Sequence, residues 1–138
     1  MRKLLFITLL SSSFFVSSEE TISRWMSDYF KRIHDHIGNE NYEKAQYELE
    51  MGNNNYFRNG RTYEAALLYQ LYGQFYAVQS QYTEAVPWFE KALATEKMPR
   101  IGAQEVRFQL AQTYFMIGKY ENVIPLLDEF IRVGERYK

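Results

Sequence analysis

The only histidines of the chain, His34 and His36, bracket Asp35 in "HDH". Imidazoles and carboxylates are what a metal site or a general acid–base pair would use. Residues two apart on a helix point to nearly opposite sides, so these two rings cannot close on one ion. There is no cysteine, so a metal would need carboxylates gathered from distant parts of the chain. Disulfides and a lipid-bearing cysteine are excluded for the same reason. Neither a glycine-rich phosphate loop nor a nucleophile elbow occurs. Acidic pairs such as Glu19-Glu20 read as solvated charge favourable at a helix start. These residue types predict no enzymatic activity, no cofactor and no metal. What remains is recognition.

The side chains available for recognition are mostly rings. Twelve Tyr and ten Phe help bring aromatic residues to 17% of the 138-residue chain, and that surface must be buried between elements or offered to a partner. A net charge of −1 with 24% charged residues leaves no basic footprint for nucleic acid. The length suits one domain. Three prolines, seven glycines and no low-complexity run argue against disorder.

Residues 1–18, "MRKLLFITLLSSSFFVSS", stand apart. Two cations, an apolar run from Leu4 to Leu10 and small residues ending Val16-Ser17-Ser18 have the three-part layout of a secretory signal peptide, with cleavage expected before Glu19. Serines 11–13 interrupt the run short of the ~20 residues a bilayer span needs. Export with cleavage is therefore expected, leaving no stable membrane span. Loss of Arg2 and Lys3 leaves 14 basic and 17 acidic side chains and a charge of −3. The expected location is periplasmic or secreted, where stability without disulfides rests on packing.

Residues 19–138 must position whatever recognises a partner, and they carry helical periodicity nearly throughout. Six helices are expected, over about 20–37, 41–51, 62–78, 81–95, 103–117 and 120–133. The first has an apolar stripe of Ile22, Trp25, Met26, Tyr29, Phe30, Ile33 and Ile37; the second turns Tyr42, Ala45 and Leu49 inward. "GNEN", "GNNNYFRNGR" and "EKMPRIG" are connectors rich in residues that end helices and favour turns. Short links make antiparallel hairpins the expected arrangement.

Two of the helices repeat one layout. In "QYTEAVPWFEKAL" and "KYENVIPLLDEFI", Tyr82 matches Tyr120, Ala85 Val123, Pro87 Pro125, Phe89 Leu127 and Leu93 Ile131, always 38 positions apart. The shared prolines fall at the edge of the zone where a missing N–H is tolerated, which predicts a local bend or an irregular first turn in both. "YQLYGQFYAVQSQYTEAVPWFEKAL" resembles the tetratricopeptide repeat (W-x2-L-G-x2-Y, A-x3-F, P), with Tyr69, Tyr72, Gly73, Tyr76, Tyr82, Ala85, Phe89 and Ala92 at the expected steps and Pro99 displaced by two. The next copy has Leu110, Ala111, Tyr114, Gly118, Tyr120, Val123, Leu127 and Phe130 in register. It departs at Arg107, where a large apolar residue is usual, and at Glu135, where proline is usual. A weaker copy upstream keeps Tyr42, Ala45 and Leu49, 40 positions before their counterparts, with Arg32 and His36 at places where apolar residues are expected.

The resemblance implies an all-α fold, a short right-handed α-solenoid of about three antiparallel helix hairpins. Gly73 and Ala111 would let paired helices approach, and the tyrosines would fill the space between. A narrower likeness, carried by "QLAQTYFM" and "IPLLDEF", is to small periplasmic tetratricopeptide proteins that accompany TonB energy-transduction systems in some Gram-negative bacteria.

Projecting the repeat places Leu67, Gln70, Gln74, Ala77 and Val78 of one unit on a concave groove, with Glu105, Phe108, Gln112, Phe115 and Met116 of the next. Phe108 and Phe115 have no obvious internal partner, so Gln70, Gln74, Phe108, Gln112, Phe115 and Met116 are the candidate groove for a peptide segment. The last helix is apolar over a wide arc with no later helix to cover it. Ile124, Leu127, Phe130 and Ile131 therefore form a second candidate interface, open to another copy of the chain. The expected function is an exported scaffold that binds a protein or peptide segment of an envelope complex, such as a TonB-dependent transport complex. An envelope or cell-wall assembly adaptor and a regulatory subunit of an enzyme are the alternatives.

Overall fold

The computed structural model describes residues 22–57, 60 and 62–137; the leader expected at 1–18 lies outside the described residues. The helices are α1 (Arg24–Gly38), α2 (Tyr42–Met51), α3 (Tyr63–Val78), α4 (Tyr82–Ala94), α5 (Arg100–Met116) and α6 (Tyr120–Arg136), with no strand among the described residues. The chain is all-helical, and each helix packs against the one that follows it.

Three turns of one conformation join α1 to α2, α3 to α4 and α5 to α6. Each has a residue in the left-handed region: Glu40 (φ 59°), Ser80 (φ 61°) and Gly118 (φ 75°). The next amide, of Asn41, Gln81 or Lys119, donates to the carbonyl five residues back, on His36, Tyr76 or Tyr114, at 2.8, 2.9 and 3.0 Å. The left-handed residue's own amide donates to Ile37, Ala77 or Phe115 at 3.1, 3.0 and 3.1 Å. This pair of bonds satisfies the last orphan carbonyls of a helix while reversing the chain. The following helix then opens on a tyrosine: Tyr42, Tyr82 or Tyr120. Three-residue reversals of this kind set the helices of each pair antiparallel.

The core is centred on α3. Thirteen of its sixteen residues are buried, as expected of a helix that is apolar nearly all round, and α1, α2 and α4 all pack against it. Gly73 allows the closest approach. A Cβ there would stand 2.5 Å from ring atoms of the fully buried Phe89. Trp88 lies flat on Tyr72, ring centres 3.9 Å apart and planes 8° apart. Phe30 stacks on Phe57 at 5.9 Å. Trp25, placed in the α1 stripe by periodicity, is instead half exposed beside Tyr56.

Several boundaries differ from the periodicity for local reasons. α5 starts three residues earlier than expected because Pro99 sits at its N-cap, at φ −55°, where the missing N–H costs nothing. "GNNNY" continues α2 as a single π turn, closed by Phe57 N–H to Gly52 C=O at 3.0 Å. A Cβ at Gly52 would stand 2.5 Å from the Tyr29 hydroxyl and 3.2 Å from Leu68, so the glycine leaves room for both. Pro87 and Pro125 each fall sixth in their helices, and both helices run on through them. The irregular first turn occurs only in α6, where Asn122 N–H bonds to Lys119 C=O at 3.1 Å; α4 opens regularly, Ala85 N–H to Gln81 C=O at 3.1 Å.

Candidate docking surface

Helix α5 divides the residues expected to line the groove. On α3, Gln70 and Gln74 are 4% and 3% exposed and offer no open wall. Gln70 Nε2 instead donates to Gln109 Oε1 of α5 at 3.2 Å, tying the two hairpins together. Leu67, Ala77 and Val78 are buried with them. The physical reason is the central place of α3, whose every face meets packing surface, so the repeat pattern alone overstated its exposure.

The α5 residues behave differently. Phe108, Gln112, Phe115 and Met116 line one open pocket of about 230 Å³ together with Ala111 and with Val123 and Leu127 of α6. The groove residues of α5 and the edge residue Leu127 thus belong to one surface. Phe115 is 59% exposed, with Ile124 at 63% and Ile131 at 55%. Phe108 does have an internal partner: its ring meets Phe130 at 5.9 Å. Phe115 meets Tyr120 at 5.4 Å. Helix α6 has no fully buried residue at all, and its inner side chains, Phe130 and Leu127 among them, are half buried.

Among the described residues, no charged side chain lines this pocket. Its one polar member is Gln112, whose Oε1 is buried and has no hydrogen-bond partner among the described residues. A buried acceptor left without a donor costs about 1–3 kcal/mol, so an N–H donor arriving with an apolar ligand would gain more here than on an open surface. Dispersion contacts with rings and aliphatic chains, plus that one hydrogen bond, are what the pocket can supply. Ala111, Val123 and Tyr120 were not singled out for the surface from the sequence. The 38-residue register marks all three as packing positions, the counterparts of Gly73, Ala85 and Tyr82.

His34 Nδ1 lies 3.7 Å from Asp35 Oδ1, and among the described residues no three His, Cys, Asp or Glu side chains are grouped to hold a metal ion. No helix of the described residues is long and apolar enough to cross a membrane. No family model, curated protein or solved structure matches the chain.

Proposed function

We propose that the chain is an interaction module of tetratricopeptide type, a short right-handed solenoid whose α5–α6 surface docks an amphipathic helix of a partner protein. The observation that carries this reading is an inequality between equivalent surfaces. Shifted back by 38 residues, the pocket residues become Gln70, Gly73, Gln74, Ala77, Val78, Ala85 and Phe89. Every one of those is buried, in the hairpin against which α5 packs. Among the described residues, the α5–α6 hairpin presents the same face uncovered. What suits it is therefore a helix like α5, which turns Val106, Gln109, Leu110 and Thr113 inward. Such a helix would bring small or apolar side chains against Phe108, Phe115 and Met116.

The leader sequence and the likeness to TonB-associated periplasmic proteins support an exported adaptor, with a segment of an envelope transport complex as the partner. A photocrosslinking residue at Phe115 or Ile131, with Asp28 on α1 as the comparison, tests this in cells. Recovery of the same envelope protein from both positions, and not from Asp28, is the expected result. Equal labelling of unrelated proteins from all three would remove the docking surface.

A further inference from the structure

A second cavity lies on a different side of α5. It has a volume of about 400 Å³ and is enclosed by the end of α4 with its connector, the first turns of α5 and the last turn of α6. Among the described residues, two of its walls, α5 and the end of α6, carry three arginines, Arg100, Arg107 and Arg136, against one carboxylate, Glu96. In a chain of net charge −1 that is a concentration of positive charge with a local cause to be found.

The arginines are held but not neutralised. Arg107 Nη1 donates to Gln104 Oε1 at 2.9 Å, and Gln104 Nε2 in turn donates to the Phe130 carbonyl of α6 at 2.7 Å. This relay fixes the guanidinium across two helices while engaging one of its five donors. The Arg100 guanidinium carbon stands 4.4 Å from the centre of the Tyr137 ring, a contact that orients the group and leaves its charge intact. Among the described residues the ion pairs are Lys31–Asp35, Arg32–Glu48, His34–Asp35 and Arg132–Glu129; none involves these three. Glu129 feels the fields of Arg107 and Arg136, but its carboxyl is held low chiefly by its bond to Arg132.

The end of α5 adds to the same field. Its N-cap is Pro99, with no side-chain cap and no acidic residue in the first turn, so the partial positive charge of the helix start is uncompensated. Like charges brought to one concavity repel each other unless an anion joins them. Arginine forks match the oxygen geometry of phosphate, and phosphate sits well at a helix start. Arg107 is also the residue at which the repeat pattern is broken, an apolar packing position given up to a guanidinium.

We propose that this cavity binds a phosphate group, held by Arg107 and Arg136 with Arg100 at the rim. It is independent of the docking surface, from which it is separated around α5. The probe is inorganic phosphate, followed by 31P line broadening at constant ionic strength in chloride. Saturable broadening by the full chain is expected, with affinity falling about tenfold or more in Arg107→Gln, the loss of one charge-assisted contact. Lys44→Gln removes one positive charge from the exposed surface of α2, outside the cavity, and is expected to bind as the parent does. Should Arg107→Gln lose its helical circular dichroism, Arg136→Gln, exposed on the last turn of α6, replaces it. Methyl phosphate in a parallel titration assigns the source: equal binding indicates the end of a phosphorylated molecule, weaker binding the free ion. Absence of saturable broadening, or equal losses in the Arg107 and Lys44 variants, overturns the site.

Discussion

Gly73 and Phe89 show how a single missing side chain sets the spacing of two helices. With a Cβ at 73 forced to 2.5 Å from the Phe89 ring, Gly73→Ala must push α3 and α4 apart or drive Phe89 from its rotamer. Overpacking of this kind costs about 1–3 kcal/mol, and alanine's better helix propensity returns only about 1. A net loss of up to about 2 kcal/mol is expected in urea denaturation, and a variant more stable than the parent would show that the approach is loose. Tyr114 gives a pH dependence. Burial, and then the neighbouring Glu90 carboxylate to which its hydroxyl donates, push its ionisation up to about 12, against about 10 in an unfolded chain. The unfolded state therefore releases this proton first, so the stabilisation is complete below about pH 10 and disappears as pH rises toward 12. Tyr72 and Tyr29 are shifted in the same direction by burial. Alkaline titration of stability should fall through that window, and less steeply in Tyr114→Phe; identical slopes would show that Tyr114 does not contribute.

At the scale of elements, the hairpins owe their likeness to their turns. Glu40, Ser80 and Gly118 occupy one position of one motif, yet only Gly118 is the residue type that takes a left-handed conformation freely. Ser80→Gly removes that strain and should stabilise by about 0.5–1 kcal/mol, whereas Gly118→Ala, with open space around its α-carbon, should destabilise by about 1 kcal/mol through backbone strain alone. Opposite shifts in denaturation midpoint are the signature; shifts of the same sign would mean that the turns are not equivalent. The connector between α2 and α3 obeys a different rule. Its π turn carries Gly52 under Leu68 and Tyr29, a close approach that the Gly- and Asn-rich composition announced only as a break.

At the scale of the molecule, the two ends of the helix array are unlike. On α3 and α5 the residues facing the preceding hairpin are Leu68, Leu71, Tyr72 and Phe75, then Val106, Gln109, Leu110 and Thr113, all buried. Their counterparts on α1, 40 positions earlier, are Asp28, Lys31, Arg32 and Asp35, all exposed. Among the described helices, α1 presents a polar face and α6 an apolar one, so head-to-tail contact of these two faces would bury charges, which costs several kcal/mol each. A two-fold pairing of α6 edges buries apolar surface on both sides and closes after two copies. Light scattering over a concentration series should plateau at or below dimer mass, and Ile124→Glu combined with Ile131→Glu should hold the monomer. Mass that climbs steadily with concentration would show head-to-tail growth.

Much of this was legible from the residues. The 3.6-residue periodicity, the breaks at glycine and asparagine, and the 38-residue spacing of Tyr82, Ala85 and Phe89 with Tyr120, Val123 and Leu127 identify helices, their order and a repeated hairpin. These are local properties, set by side-chain spacing and turn chemistry within a few residues. Which faces stay open was decided only in three dimensions. Gln70 and Gln74 have the composition of a groove wall and are buried, because burial depends on every neighbour of α3 at once. Arg100, Arg107 and Arg136 lie far apart in the chain and share a cavity, because two helix ends and a connector meet there.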